Sequence, residues 1–160
     1  MVTNKLSAGI LLYRISNAHR VEVWLAHMGG PYWSAPGKRA WTIPKGEYEP
    51  GDDELTAARR EFEEEIGSSP PEADYANLGV FRIASGKRIT VFCAEHDFHT
   101  DELVSNTFDL EWPPRSGQIQ PFPEIDDARW FGLADARAQI LTGQLPILDA
   151  LEARLQRRGN

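Results

Sequence analysis

The sequence predicts an α/β fold in which a mixed β-sheet is covered by helices on its faces. Three observations lead there. Short apolar runs bounded by polar residues, such as LSAGILLYR, VEVWLAHM and KRITVFCAEH, read as strands. The segment ELTAARREFEEEI instead places Leu55, Ala58, Phe62 and Ile66 at helical spacing, a stripe that one helix face would bury. Strands and helices then alternate irregularly along the chain, as a mixed sheet with helical layers requires.

Taken in order, residues 6–14 form a buried strand, and residues 21–28 its hairpin partner across the turn SNAHR. Residues 29–40, GGPYWSAPGKRA, are rich in Gly and Pro and must be loop. WTIP is a short extended segment, because Pro44 disfavours helix at Ile43. Pro50-Gly51-Asp52 turns the chain into a helix capped by Asp52 or Asp53, which runs to about Ile66 and is stopped by Gly67. Residues 77–84 and 87–96 read as two strands joined through Ser85-Gly86. PFPEIDDARWF (121–131) reads as a loop leading into a last strand. Helices over about 133–142 and 146–158 close the chain, with Pro146 well placed in a first turn.

The 160 residues suffice for one domain, 1–160, with an adequate core. Apolar residues make up 41% and charged residues 26%, as in soluble proteins. The net charge of −7 argues against a nucleic-acid binder. No window holds the roughly 20 apolar residues that a membrane span needs. Cys93 is the only cysteine, so no internal disulfide can form, and a reducing cytoplasm is the expected setting. It lies in the apolar run ITVFCA and reads as a small core residue.

The run EFEEE concentrates negative charge on one helix. At about 100° per residue, Glu65 lies about 40° from Glu61, and Glu64 about 60° the other way. The three therefore share a face, while Glu63 points away. Arg59 is four residues from Glu63 and Arg60 four from Glu64, so both are expected to pair along the helix. A solvated, salt-bridged helix face would look the same. The acidic face, however, borders the core stripe and follows the glycine-bearing loop Gly46–Gly51, which could bring a backbone carbonyl close. Three carboxylates and a carbonyl make an all-oxygen site for a hard cation, Mg²⁺ or Mn²⁺.

This segment resembles the Nudix box, G-x5-E-x7-R-E-U-x-E-E-x-G-U, in which U is bulky and apolar. Gly46 takes the first position, Arg60-Glu61-Phe62 matches R-E-U, Glu64-Glu65 matches E-E, and Gly67 is the last glycine. Asp52 stands where the pattern has Glu, and Ser68 where it has an apolar residue. SAGILLYR, the PKG before the box and PEIDDARWF are also similar to Nudix domains. SNTFDLEWPPRSGQ (105–118) resembles a bacterial subgroup of predicted NTP pyrophosphohydrolases. AGILLYR and WTIPKG are similar to the diadenosine tetraphosphate hydrolase branch, although that branch's downstream tyrosine is absent near 84.

The resemblance implies an α/β/α sandwich with a central mixed sheet, and metal-dependent hydrolysis of a nucleoside diphosphate linked to another group, with water attacking phosphorus. Glu61, Glu64 and Glu65, with the Gly46 carbonyl, would hold the metal, and Arg60 would orient a box glutamate. Cations bound there explain how so acidic a chain can handle a pyrophosphate. Glu64, Glu65, Glu111 and Glu124 are alternatives for the general base. Lys45, Arg88 and Arg115 are candidates for phosphate contact. Trp33, Tyr32, Trp41, Trp112 and Phe122 are candidates for base stacking. The rigid loop EWPPRSG is expected to border the substrate pocket. A nucleotide-like small molecule is the expected partner, with no nucleic acid and no membrane. The Trp-rich loops would serve a homodimer as readily as a ligand. Alternatives are a diadenosine polyphosphate hydrolase, or an inactive nucleotide-binding regulator on the same scaffold.

Overall fold

Apolar runs buried on both faces build the centre of the sheet, and the alternation of their side chains decides which helix each strand face meets. The computed structural model describes residues 5–83 and 86–158; the predicted strand end Ala84 and turn residue Ser85 lie outside them. The strands are β1 (Leu6–Ile15), β2 (Val21–Met28), β3 (Trp41–Thr42), β4 (Lys45–Glu47), β5 (Ala76–Arg82), β6 (Arg88–Glu95), β7 (Thr107–Glu111), β8 (Ile119–Pro123) and β9 (Ile125–Gly132). The helices are α1 (Glu54–Ile66), α2 (Leu133–Gln139) and α3 (Leu145–Arg158), with a 3₁₀ turn over Thr142–Gln144.

The main sheet runs β3-β2-β1-β6-β5, with β4 paired to β1 and β9 to β2. It is mixed: β1 and β6 are parallel, and the other pairs are antiparallel. Strands β1 and β2 pair only near their turn, from Tyr13 to Ile15 against Val21 to Val23, and then splay apart. The segment Trp41–Glu47 fills the wedge. Its first half pairs with β2 and its second half with β1, and the Ile10 N–H donates to the Pro44 carbonyl at 3.1 Å. Gly9 permits this approach, since a Cβ there would stand 2.9 Å from the Pro44 oxygen and 2.8 Å from Ile43. The wedge thus brings Lys45 and Gly46 to the middle of the molecule.

Even-numbered residues of β1 and β6 (Ala8, Ile10, Leu12, Phe92, Ala94) meet Ala57, Ala58, Phe62 and Ile66 of α1. Odd-numbered ones (Leu11, Tyr13, Ile89, Val91, Cys93) meet Ala136 of α2 and Ile147, Leu148 and Leu151 of α3. The result is the α/β/α sandwich, with Cys93 a buried core residue. Arg39 of the loop donates to the Arg137 and Ile140 carbonyls and so satisfies the end of α2. Among the described residues no helix is long and apolar enough to cross a membrane.

The structure corrects the sequence reading in two places. Residues 121–123 are not loop: they end β8, which forms with β7 a two-stranded hairpin separate from the main sheet, with residues 112–118 as its turn. Its half-buried positions alternate with exposed ones, and Pro121 and Pro123 fall on exposed positions. Helix α2 stops at Gln139, three residues short of the predicted end, and the chain continues through the 3₁₀ turn.

That turn supplies a buried polar clamp. Gln144, 1% exposed, donates to Thr42 Oγ1 at 2.8 Å and accepts from the Ile43 N–H at 3.1 Å. Gln144→Leu would strand the Ile43 N–H and is expected to destabilise the fold by about 2 kcal/mol. Urea unfolding measures this directly, and a transition midpoint equal to that of the parent would refute it.

Candidate active site

The box helix is held at both ends by its sequence. Asp53 caps it, accepting from the Thr56 N–H at 2.9 Å and from the Thr56 hydroxyl at 2.8 Å. Gly67 ends it at φ +88°, with its N–H on the Glu63 carbonyl and Val104 packed where a Cβ would be. Phe62, fully buried, stacks on Trp24 with centroids 5.7 Å apart and meets Phe98 edge-on. With that rotation fixed, the neighbouring face of α1 is turned toward β4. Asp52, in the box's first acidic position, accepts from the Glu49 N–H at 3.3 Å and closes its own turn. Ser68 hydrogen-bonds Thr100 where the pattern has an apolar residue.

Glu61 lies against Gly46. A Cβ at position 46 would sit 2.0 Å from Glu61 Oε2, so only glycine leaves room for that carboxylate. Glu65 reaches the preceding residue, accepting from the Lys45 N–H at 3.4 Å. Burial pushes the Glu65 carboxyl up to about 7; the Lys45 charge and N–H act the other way, and Glu124 and Glu61 add to the rise. Glu61 is also raised, first by burial and then by Glu64, with Arg60 partly offsetting both. Glu64 and Glu63 are exposed.

The two expected ion pairs along α1 are replaced. Arg59 bonds Glu72 at 2.7 Å, across to the next loop. Arg60 stands 3.5 Å from Glu61 and so supports the carboxylate beside Gly46. Arg59 thus takes a tertiary partner on the next loop, and Arg60 the adjacent residue of its own helix, in place of the residue one turn along.

Glu65 opens into a cavity of about 260 Å³, also lined by Trp33, Thr42, Lys45, Phe108 and Glu124. Sequence-predicted Lys45, Glu65, Trp33 and Glu124 therefore meet there, with Gly46, Glu61, Glu64 and Arg60 directly adjoining in the chain. Trp33 is braced edge-on by Tyr32, which lies under Lys38 Nζ at 3.8 Å. The other candidates stand apart from this lining. Arg88 opens β6 opposite Leu6 and Arg82. Glu111 ends β7, and Trp112 and Arg115 lie in the turn of the hairpin. Trp41 is buried in the core under α2 and α3, and Phe122 sits behind Phe108. Phe108 and Thr42 escaped the sequence reading; only the alternation in TFDLE hinted that Phe108 faces inward.

Chemically, Gly46, Glu61, Glu64 and Glu65 carry four oxygen-bearing groups, one carbonyl and three carboxylates. Among the described residues no three His, Cys, Asp or Glu side chains converge as a preformed metal cage. What favours a cation is the crowding of partly buried carboxylates around consecutive residues of β4, an arrangement that positive charge would relieve.

The sequence matches the model of the NUDIX domain over residues 3–151. No curated protein is a significant match. Among solved structures, a C. elegans Ap4A hydrolase in a binary complex is 25% identical, with a TM-score of 0.61 over 95% of this chain and 98% of that one. The NUDIX domain of Shewanella oneidensis NrtR, complexed with ADP ribose, has a TM-score of 0.64 at 16% identity, over 97% and 90% of the two chains. The C-terminal domain of mouse MUTYH, in complex with human PCNA, has a TM-score of 0.61 at 17% identity, over 96% and 91%. The last two likenesses are of fold. With the box in register and its helix seated on β4, the chain belongs to the Nudix family and is a Nudix hydrolase, an enzyme of pyrophosphate bonds in nucleotide-linked substrates.

Proposed function

We propose that the enzyme is a metal-dependent pyrophosphohydrolase of small nucleotides, cleaving a nucleoside diphosphate linked to another group by attack of water on phosphorus. One observation supports this above the others: Glu61 occupies the space left by the missing side chain of Gly46, beside a second half-buried glutamate, Glu65. Gly46, Glu61, Glu64 and Glu65 would hold the cation, Mg²⁺ or Mn²⁺, since an all-oxygen set suits a hard ion. When bound, that ion supplies neutralisation of the phosphate charge. Arg60 keeps Glu61 in place, and Lys45 contacts a phosphate oxygen. Trp33 offers a face to the base. Glu124, in the same cavity as Glu65, accepts the proton of the attacking water. Arg88, Trp112 and Arg115 take no part in the proposed site. The proposed setting is the cytoplasm.

A second reading, hydrolysis of dinucleoside polyphosphates, is favoured by the likeness to the Ap4A hydrolase over nearly the full length of both chains. One experiment tests both readings. Nucleoside triphosphates, diadenosine tetraphosphate and nucleotide sugars are incubated with Mg²⁺, and products are identified. Release of a nucleoside monophosphate, abolished by EDTA and restored by excess Mg²⁺, is expected. Tight nucleotide binding with no turnover across the panel would instead establish a regulatory protein on this scaffold.

A further inference from the structure

The hairpin β7–β8 is joined to the body at its base, at the edge of the cavity. There the Gly29 N–H donates to the Glu124 carbonyl at 2.9 Å, and the Glu124 N–H donates to the Asn106 carbonyl at 2.8 Å. Ser105 bonds both the N–H and the carbonyl of Ile125. Gly29 and Gly30, which open the 29–40 loop, receive the hairpin. A Cβ on Gly29 would stand 2.0 Å from the Pro123 oxygen, and one on Gly30 would stand 2.8 Å from Phe108 Cζ. Gly30 has φ +96°, so its conformation also favours glycine. Phe108 is half-buried, is backed by Phe122 at 6.1 Å, and lines the same cavity as Trp33.

We infer that Phe108 is a specificity-determining residue: the hairpin carries its ring into the cavity, the Gly29-Gly30 seat holds it there, and together with Trp33 it selects ligands with a planar base. This rests on the nucleotide reading above. The charge of the cavity agrees with it. Lys45, Glu65 and Glu124, assigned above to phosphate, cation and water, form the charged part of the lining, which leaves Trp33 and Phe108 as the aromatic part that takes the base. Two aromatic side chains with little positive charge between them bind a base by its π-face and tolerate base identity.

The test measures affinity for AMP, ADP and, as the baseless probe, ribose 5-phosphate, by calorimetry on the full chain with Mg²⁺. It also measures kcat and KM with ATP. Phe108→Ala is expected to weaken AMP and ADP about ten- to hundredfold, to leave ribose 5-phosphate within about twofold, and to act on KM more than on kcat. Phe108→Tyr is expected to restore most of the affinity. Ile119→Ala, on the exposed side of the same hairpin, serves as a control and should change nothing. Equal losses for nucleotide and ribose 5-phosphate, or nucleotide affinities unchanged in Phe108→Ala, would overturn the inference. So would a parent protein that binds no nucleotide. Phe108-dependent nucleotide binding without hydrolysis would uphold it while overturning the catalytic reading.

Discussion

Glu61→Gln is expected to lower kcat by roughly a thousandfold, with much smaller change in KM. The substitution keeps the shape that fits against Gly46 and removes the charge. A metal supplies several kcal/mol of transition-state charge stabilisation, and each 1.4 kcal/mol or so is a factor of ten in rate. Misplacing the ion should therefore appear in kcat. Gly46→Ala is the complementary change. Its Cβ would collide with the Glu61 carboxylate at 2.0 Å and push it out without altering any charge. Both variants should lose activity together, and raising Mg²⁺ should recover little in either. Single-turnover rates of purified, folded variants decide the matter. If Glu61→Gln stays within tenfold of the parent while Gly46→Ala is inactive, the glycine serves packing and Glu61 is no metal ligand.

The box helix was legible because its signals are local. Asp53, Gly67 and the stripe Ala58–Phe62–Ile66 fix its ends and its rotation within one continuous segment. The helix wheel separates Glu63 from the other box glutamates, whereas exposure sets Glu63 and Glu64 together apart from the half-buried Glu61 and Glu65. The ion pairs were not legible. The wheel sees only partners one turn away, whereas Arg59 found Glu72 on the following loop. The hairpin was missed for a related reason. Four prolines and a Trp in 112–123 read as turn chemistry, yet β7 and β8 are both free along their outer edges among the described residues. There, prolines at exposed positions interrupt no ladder. Nothing local shows that Gly30 makes room for Phe108, because their proximity is created by the docking of two distant loops. The burial of Glu65 depends in turn on the splaying of β1 from β2, which only pairing over the whole sheet reveals.

Glu65→Gln is expected to make the metal-free protein more stable at pH 8 while depriving it of activity. The Glu65 carboxyl is raised from an ordinary 4.5 to about 7, chiefly by burial. Between those values the folded state binds the proton more tightly than the unfolded chain does. Stability is therefore greatest below pH 4.5 on this account, declines as the pH rises toward 7, and is flat above it. The full loss is about 3 kcal/mol. Glutamine is neutral throughout and can still accept from the Lys45 N–H, so it removes this slope. Titrating groups remote from residue 65 cancel in the difference, while Glu61, Glu124 and Lys45, which interact with it, change its size. Urea unfolding in EDTA at pH 5, 6, 7 and 8 should thus give a difference of about 1 kcal/mol or less at pH 5 that widens in favour of the variant up to pH 7 and then levels off. Adding Mg²⁺ at pH 8 should stabilise the parent more than the variant, since a bound cation offsets the charge that burial penalises. A parent–variant difference that stays constant from pH 5 to 8 would mean that Glu65 is solvated as an ordinary surface acid. The residue that most destabilises the empty site is, on this argument, one that the occupied site requires.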